Sequence, residues 1–243
     1  MWPRRLKLAT AVWSVAFLVT CAAPEHRAPL PRHREAGAFP AAPRPAIVGR
    51  QVWHADEKAV REKPVYTGSV QAVFLHHTLH SNNYDCVADV PAMLLSMEKH
   101  HINDMGWDDL GYNFVVDRCG TIYEGRAGGV DLAVKGSHTK GFNARSVGIA
   151  ALGHFEEGQE VPRAMLRAIA TVAAWKLRAG VDPKGRTRMV SSSGESRYPK
   201  GTPVELNVIS GHRDEYETTC PGAALYEALP WLREEAARLR GAR

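Results

Sequence analysis

The chain has 243 residues, of which 44% are hydrophobic and 23% charged, as in an ordinary globular protein. This length allows one mid-sized domain with additional segments. The formal net charge is +5, but from Lys63 onward Lys and Arg together equal Asp and Glu in number. A protein that binds nucleic acid needs a basic face on its folded part, so the charge balance argues against nucleic acid as a partner.

The start of the chain resembles an export signal. Three basic residues are followed by an apolar stretch of 12 residues, 8–19, which is too short to span a bilayer. We therefore expect residues 1–23 to be a signal peptide and the protein to be secreted. The run Leu18-Val19-Thr20-Cys21 also resembles a lipoprotein signal, although Thr20 departs from the Gly, Ala or Ser usual before the cysteine. Only in that case would the protein be attached to a membrane, through a lipid on Cys21.

The segment after this signal has a different composition. Residues 24–62 are rich in Pro, Ala, Arg and His and show no apolar periodicity. Such a composition is typical of a flexible linker. We expect this linker to lead into one folded domain that comprises residues 63–243, in which no internal repeat is found.

Apolar runs of strand length alternate with segments of helical periodicity in this domain. Strands are predicted over residues 70–76, 112–117, 121–124, 146–152 and 204–209. Helices are predicted over residues 89–105, 162–179 and 223–240, with the last one kinked or split at Pro230. A long loop or irregular hairpin is expected over 182–205. This order indicates an α/β fold, a single domain with a central mixed β-sheet flanked by about three α-helices.

Histidines stand at the ends of two predicted strands. His76 and His77 end the first strand, and His212 follows the last one, with Cys220 eight positions further along. One histidine of the first pair, His212 and Cys220 make three zinc ligands, which leaves a fourth position open to water as in catalytic zinc sites. If the two strands are parallel neighbours, these side chains meet at one edge of the sheet, where open α/β sheets bind ligands.

Two other cysteines are left once Cys21 is assigned to the leader and Cys220 to the metal. These are Cys86 and Cys119. Cysteines of exported proteins are usually oxidised in pairs. We therefore predict a disulfide between Cys86 and Cys119, which would join the segment after the first strand to the turn after the second strand.

Six short stretches carry a further signal through their order in the chain. They are Leu75-His76-His77-Thr78, then residues 106–114, 123–126, 136–143, 146–149 and 211–222. In this order they resemble the peptidoglycan recognition proteins of the zinc-dependent N-acetylmuramoyl-L-alanine amidase superfamily, in a bacterial exported form. The resemblance covers about residues 65–235. It implies the α/β fold of that superfamily, peptidoglycan as partner, the cell wall as place of action and Zn²⁺ as cofactor.

The resemblance also implies a role for individual residues. The metal ligands would be His76 rather than His77, together with His212 and Cys220. Tyr112 would be catalytic, and Thr218 would assist it. The implied substrate-binding residues are Thr78, His101, Arg126, His138 and Asn143. The implied reaction is hydrolysis of the amide between the lactyl group of N-acetylmuramic acid and the L-alanine of the stem peptide.

Three hypotheses about function follow from these residues. The first is a working amidase, in which Tyr112 donates a hydrogen bond to the developing oxyanion or instead orients the attacking water. The second is a non-catalytic peptidoglycan-binding or sensing module with a structural zinc; the presence of both Cys220 and Tyr112 favours the first hypothesis over it. The third, a zinc protease, is disfavoured because the His-Glu-x-x-His motif is absent from the sequence. A monomer is expected.

Two of the implied substrate contacts have simpler interpretations from the residues alone. His101 lies on the apolar side of a predicted helix and could be a half-buried member of it. Arg126 could form a surface ion pair with Asp131 or Glu124, worth about 0–1 kcal/mol. The sequence leaves both interpretations open.

Overall fold

The order of strands and helices follows the predicted alternation. The computed structural model describes residues 39–241; the predicted signal peptide, Cys21 and residues 24–38 of the predicted linker lie outside this part. The strands are β1 Ala72–His77, β2 Phe114–Val116, β3 Ile122–Glu124, β4 Ser146–Ala151, β5 Arg186–Val190, β6 Pro203–Asn207 and β7 Ile209–Gly211. The α-helices are α1 Val90–Lys99, α2 Arg163–Lys176, α3 Ala223–Glu227 and α4 Leu229–Leu239.

Five strands form one mixed sheet in the order β3-β2-β4-β1-β7. β1 is parallel to both β4 and β7, β2 is parallel to β4, and β3 is antiparallel to β2. β4 is the central strand and is buried along its whole length, as its continuous apolar run predicts. The mixed α/β architecture is therefore confirmed. Among residues 39–241, none of the helices is both long and apolar enough to cross a membrane.

The predicted C-terminal helix is split in two. α3 ends at Glu227 and α4 begins at Leu229, with Pro230 in the first turn of α4. Proline fits the first turn because its missing N–H has no intrahelical partner there. The break accounts for four α-helices in the described residues where about three were predicted.

The two faces of the sheet are covered by different elements. Val73 and Leu75 of β1 point to the face that packs against α2 and α4. Phe74 and His76 alternate with them along the strand and therefore point to the opposite face. On that face α1 covers the part near β2 and β4, whereas the β5–β6 hairpin packs against Phe74 through Met189. His76 thus ends the strand on the face that α1 and the hairpin share.

The prediction of one last strand over residues 204–209 is wrong. Pro203–Asn207 pairs with β5 in a separate two-stranded sheet, and Ile209–Gly211 joins β1 in the main sheet. Val208 between them donates its N–H to Gly185 and accepts a hydrogen bond from the N–H of Val73. The apolar run is continuous in sequence, but its two halves find different partners.

The predicted linker extends too far, because residues 39–62 pack onto the domain. Arg50–Trp53 forms a short 3-10 helix in which both end residues are buried. Val48 forms a parallel bridge with Tyr123 next to the edge strand, and Trp53 donates its indole N–H to the carbonyl of Glu124 at 2.9 Å. The domain boundary predicted at residue 63 is therefore too late. We call residues 47–57 the N-terminal strap.

The predicted disulfide is present between Cys86 and Cys119. Cys86 precedes α1, and Cys119 lies in the turn between β2 and β3. The bond therefore ties the entrance of the helix to the edge of the sheet. Among residues 39–241, Cys220 is the cysteine outside this disulfide, and it is buried.

Candidate functional site

Three side chains that could bind a metal ion converge where β1 and β7 end. The donor atoms of His76, His212 and Cys220 all lie within 4.8 Å of one another. The Nδ1 atom of His76 is 3.8 Å from the Sγ atom of Cys220, and the rings of His76 and His212 are 4.4 Å apart. Two imidazoles and one sulfur are a donor set that suits zinc.

Strand register brings the two histidines together. β1 and β7 are parallel neighbours with Leu75 opposite Gly211, so the next residue in each strand direction is a histidine. Cys220 comes from the loop that follows, where its Sγ accepts the backbone N–H of His77 at 3.4 Å. The predicted meeting of the three side chains at one sheet edge therefore has a simple origin in parallel pairing.

Strand alternation separates His76 from His77. The ring of His77 points to the other face, where its Nδ1 accepts the backbone N–H of Phe155 at 3.3 Å. His76, which is 1% exposed, is the member of the pair that faces Cys220. The structure thus places His76 in the cluster, as the resemblance implies, and gives His77 a backbone partner.

Burial keeps the donors of this cluster neutral. It lowers the pKa of His212 to about 4 and, helped by the neighbouring His212 and His138, lowers the pKa of His76 well below its usual value. Burial also raises the pKa of the Cys220 thiol to about 12. Neutral imidazoles offer free lone pairs, whereas the sulfur needs a nearby cation to lose its proton.

Tyr112 and Thr218 stand beside the cluster. The ring of Tyr112 is 5.1 Å from the ring of His76, and burial raises the pKa of its phenol, with a contribution from Cys220. Thr218 accepts the backbone N–H of Cys220 at 3.2 Å through its Oγ1 atom. Tyr112 therefore keeps its proton at neutral pH, and Thr218 holds the turn that presents the sulfur.

A cleft of about 540 Å³ opens next to Tyr112. Its walls are formed by the residues after β1 and by α1 with its C-terminal extension; the lining residues are Thr78, His80, Ser96, Met97, Lys99, His100, His101, Asn103, Asp104 and Tyr112. The predicted contacts Thr78 and His101 both line it. His101 also packs on Trp107 and accepts the N–H of Gly111 at 3.1 Å, which fixes the residue before Tyr112.

The other three predicted substrate contacts are engaged within the protein. Arg126 pairs with Asp108 at 3.5 Å, rather than with Asp131 or Glu124. Asn143 accepts two backbone N–H groups, those of His138 and Thr139, through its Oδ1 atom.

His138 lies behind His76 and is 4% exposed. Its Nδ1 atom is 3.2 Å from the Nε2 atom of His76. His138 is not one of the residues that line the cleft beside Tyr112, and its implied role as a substrate contact stays a prediction.

Two groups of buried polar residues were not predicted. Arg50 of the strap pairs with Glu98 at 2.7 Å and with Asp109 at 3.2 Å, and its third carboxylate partner is Glu57. The only signal in the sequence was an Arg and a Trp, three residues apart, in a segment otherwise typical of a linker.

Glu215 is the second unpredicted buried group. It lies between His212 and Cys220 in the chain, and it is completely buried. Within the described residues 39–241, neither of its carboxylate oxygens has a hydrogen-bond partner, and the same is true of Oγ1 of Thr139. Burial and the nearby Asp214 raise the pKa of this carboxyl well above its usual value.

Comparison with known proteins gives the same family as the six short sequence stretches that resemble it. The sequence profile described as N-acetylmuramoyl-L-alanine amidase (Amidase_2) matches residues 66–223. The chain is 31% identical over 188 residues to N-acetylmuramoyl-L-alanine amidase of Sus scrofa, an alignment that covers 76% of this chain and 27% of the relative. It is 34% identical over 114 residues to Peptidoglycan-recognition protein 1 of Holotrichia diomphalia, covering 46% of this chain and 53% of the relative.

The chain therefore spans about a quarter of the first relative's length and about half of the second's. A solved structure with the same fold is that of a point variant of Drosophila PGRP-LB in complex with tracheal cytotoxin. It matches with a TM-score of 0.58 and 25% identity over 76% of this chain and 94% of that chain.

Proposed function

The chain belongs to the N-acetylmuramoyl-L-alanine amidase family, and from this premise we propose that it is an exported, zinc-dependent amidase. The substrate would be peptidoglycan. The bond cut would be the amide between the lactyl group of N-acetylmuramic acid and the L-alanine of the stem peptide. The observation that carries this proposal is the convergence of His76, His212 and Cys220 within 4.8 Å beside a cleft that Tyr112 lines.

The residues of the cluster fit zinc by their chemistry. Two neutral imidazoles and a sulfur atom are provided from three parts of the chain, and three protein ligands are the number found in catalytic zinc sites. Zinc bound by His76, His212 and Cys220 would supply Lewis acidity for attack on the amide. Since burial raises the pKa of Cys220 to about 12, zinc uptake would also release the proton of this thiol.

Tyr112 would stabilise the charge that develops on the amide oxygen. Burial keeps its phenol protonated, so it offers a hydrogen-bond donor near His76. One donor of this kind is worth about 2.7–4 kcal/mol in the transition state. Thr218 keeps its hydroxyl hydrogen available, because its oxygen accepts the N–H of Cys220, and it would orient water at the same place.

The substrate class rests on the cleft and on the relatives. A muramyl peptide is long and polar, and the cleft of about 540 Å³ is lined mostly by polar side chains. The Drosophila neighbour is described in complex with tracheal cytotoxin. We place the peptide of the substrate along Thr78 and His101, with the scissile amide at Tyr112.

Export is part of the same proposal. Residues 1–23 would be a signal peptide, and the protein would act in the extracellular cell wall, attached to a membrane only if Cys21 carries a lipid. The Cys86–Cys119 disulfide supports an oxidising compartment, because such bonds persist mainly outside the cytosol.

Mass spectrometry on a defined muropeptide tests the activity. The full-length protein is incubated with the muropeptide with and without a zinc chelator. We expect a free stem peptide with a new L-alanine amine, lost on chelation and restored by zinc. If the muropeptide stayed intact in the presence of zinc-loaded protein, the chain would instead be a non-catalytic peptidoglycan-binding module. Tyr112 and Thr218 would then have no catalytic role.

A further inference from the structure

We infer that His138 and Ser146 are positioning residues that select the tautomer of His76 in which the Nδ1 lone pair faces Cys220. The inference rests on the proposed function insofar as it treats His76 as a metal ligand. It assigns to His138 a role behind the site instead of a contact with substrate. The evidence is a chain of four polar groups that ends on a backbone carbonyl.

The chain of hydrogen bonds runs from β4 to β1. Ser146 donates its hydroxyl hydrogen to the carbonyl of Phe142, with 2.6 Å between the two oxygens. The same hydroxyl oxygen is 3.5 Å from Nε2 of His138. Nδ1 of His138 is in turn 3.2 Å from Nε2 of His76. Ser146, His138 and His76 are all buried, so bulk water does not compete for these groups.

The carbonyl at one end determines the direction of every bond. A carbonyl oxygen only accepts, so the single hydroxyl hydrogen of Ser146 is used there, and its oxygen must accept from Nε2–H of His138. A neutral imidazole carries one N–H, which leaves Nδ1 of His138 as an acceptor. It accepts from Nε2–H of His76, and Nδ1 of His76 is therefore without a proton.

This tautomer suits a metal ligand. The unprotonated Nδ1 of His76 is the atom that lies 3.8 Å from Sγ of Cys220. A histidine ligand that donates its other N–H to a second residue is held in one orientation and becomes a stronger base. In the opposite tautomer, Nδ1–H of His76 would point at the cluster and block it.

The loop around His138 is built to hold this ring. Oδ1 of Asn143 accepts the backbone N–H of His138 at 2.8 Å, and the ring packs 6.1 Å from that of Phe74. Gly148 on β4 leaves the necessary room, because a Cβ atom at this position would collide with the His138 ring. These contacts come from three separate parts of the fold, so the ring has little freedom to turn.

The test compares two replacements of His138 in the full-length protein. His138→Gln keeps a side-chain oxygen that accepts from His76, whereas His138→Leu does not. We expect Leu to weaken zinc affinity, measured by competition with a chelator, by about 10–100-fold, and Gln to recover most of this loss. Ser146→Ala is expected to weaken affinity by a smaller factor. Ser191→Ala, which removes another buried serine-to-carbonyl bond, serves as the matched control and should bind zinc like the wild type.

A second measurement reads the tautomer directly. Long-range ¹H–¹⁵N correlation spectra of the wild-type protein should show His76 protonated on Nε2. A proton on Nδ1 would overturn the inference, and so would wild-type zinc affinity in His138→Leu together with lost turnover, since that would make His138 a substrate contact. If the wild-type protein took up no zinc, the proposed function would fall, but the tautomer spectrum would still decide the inference. Should His138→Leu fail to fold, Ser146→Ala and the spectrum remain.

Discussion

Two buried polar clusters on the same side of the molecule differ in one respect. The Arg50 cluster joins the N-terminal strap to α1 and to the segment before β2, and its guanidinium contacts Glu57, Glu98 and Asp109. The second is formed by His76, His212 and Cys220. Within residues 39–241 the first cluster contains both signs of charge, whereas the second brings together only lone-pair donors.

The difference shows how a structural cluster is told from a binding site. A buried charge is tolerated when its partners are part of the protein, and Arg50 meets this condition. Three lone-pair donors that converge with no positive group among them are the arrangement that a bound cation completes. The two clusters therefore differ in whether their polar groups find opposite charges within the protein, and not in burial or polarity. Four substitutions separate the two clusters by experiment.

His212→Ala should have the largest effect, because it removes one donor from the incomplete cluster. We expect turnover on a muropeptide to fall by more than about 10³-fold, equivalent to about 4 kcal/mol. Zinc should raise the melting temperature of the wild type but not of the variant. His154→Ala, an exposed histidine on the other face, is the control and should keep both properties. Full zinc binding in His212→Ala would refute the metal assignment.

Arg50→Met should destabilise the protein by about 3–5 kcal/mol, because it leaves the buried Glu98 and Asp109 without their positive partner. The measurement is urea unfolding of the metal-free protein. Arg44→Met is the matched control, since its pair with Asp131 is mostly exposed and should be worth about 0–1 kcal/mol. Equal losses in both variants would mean that the Arg50 cluster is not the completed structural site described here.

Tyr112→Phe should lower kcat by about 10²–10³-fold, the loss that follows removal of one donor to an oxyanion, without changing zinc affinity. Kinetics and chelator competition measure the two effects separately. Tyr216→Phe preserves the ring that stacks on His212 at 5.2 Å and should remain close to the wild type. If the Tyr112→Phe variant lost its zinc, Tyr112 would instead be a residue that holds the metal site in place.

Glu215→Gln should have the smallest effect, a change in the stability of the folded protein that depends on pH. The carboxyl of Glu215 has a raised pKa in the folded protein, so the unfolded chain ionises first as pH increases. The wild type therefore loses stability as pH rises above about 4.5, the usual pKa, and the Gln variant does not. We expect the variant to be more stable by about 1 kcal/mol at pH 8 and equal to the wild type at pH 4. Urea unfolding at both pH values decides, and a constant difference would exclude ionisation as the cause.

Much of the fold was predictable because the signals were local. The continuous apolar run of β4 predicted a central buried strand, and Pro230 predicted the break between α3 and α4. The same logic failed at residues 204–209, where one apolar run contributes to two sheets. Which strand pairs with β5 and which with β1 depends on partners that lie elsewhere in the chain.

The strap was missed for the same physical reason. The indole N–H of Trp53 donates to the carbonyl of Glu124, 71 positions later, and the residues next to Trp53 in sequence carry no apolar periodicity. Ser146 was predicted only as part of a buried strand, and no local pattern marks it as a partner of His138. Glu215 was unremarkable in sequence, because the absence of a partner is visible only once the loops are in place.

Most of the strands and helices, and the side chains of the candidate metal cluster, could be read from local sequence, because periodicity, proline placement and ligand chemistry act through a few neighbouring residues. The contact between His138 and His76, and the pairing of Arg50 with Glu57, Glu98 and Asp109, depend on the tertiary structure. These outcomes join residues far apart in the chain, 62 positions for His76 and His138 and 59 for Arg50 and Asp109. Such contacts follow from strand register and loop placement, which no local stretch of sequence contains.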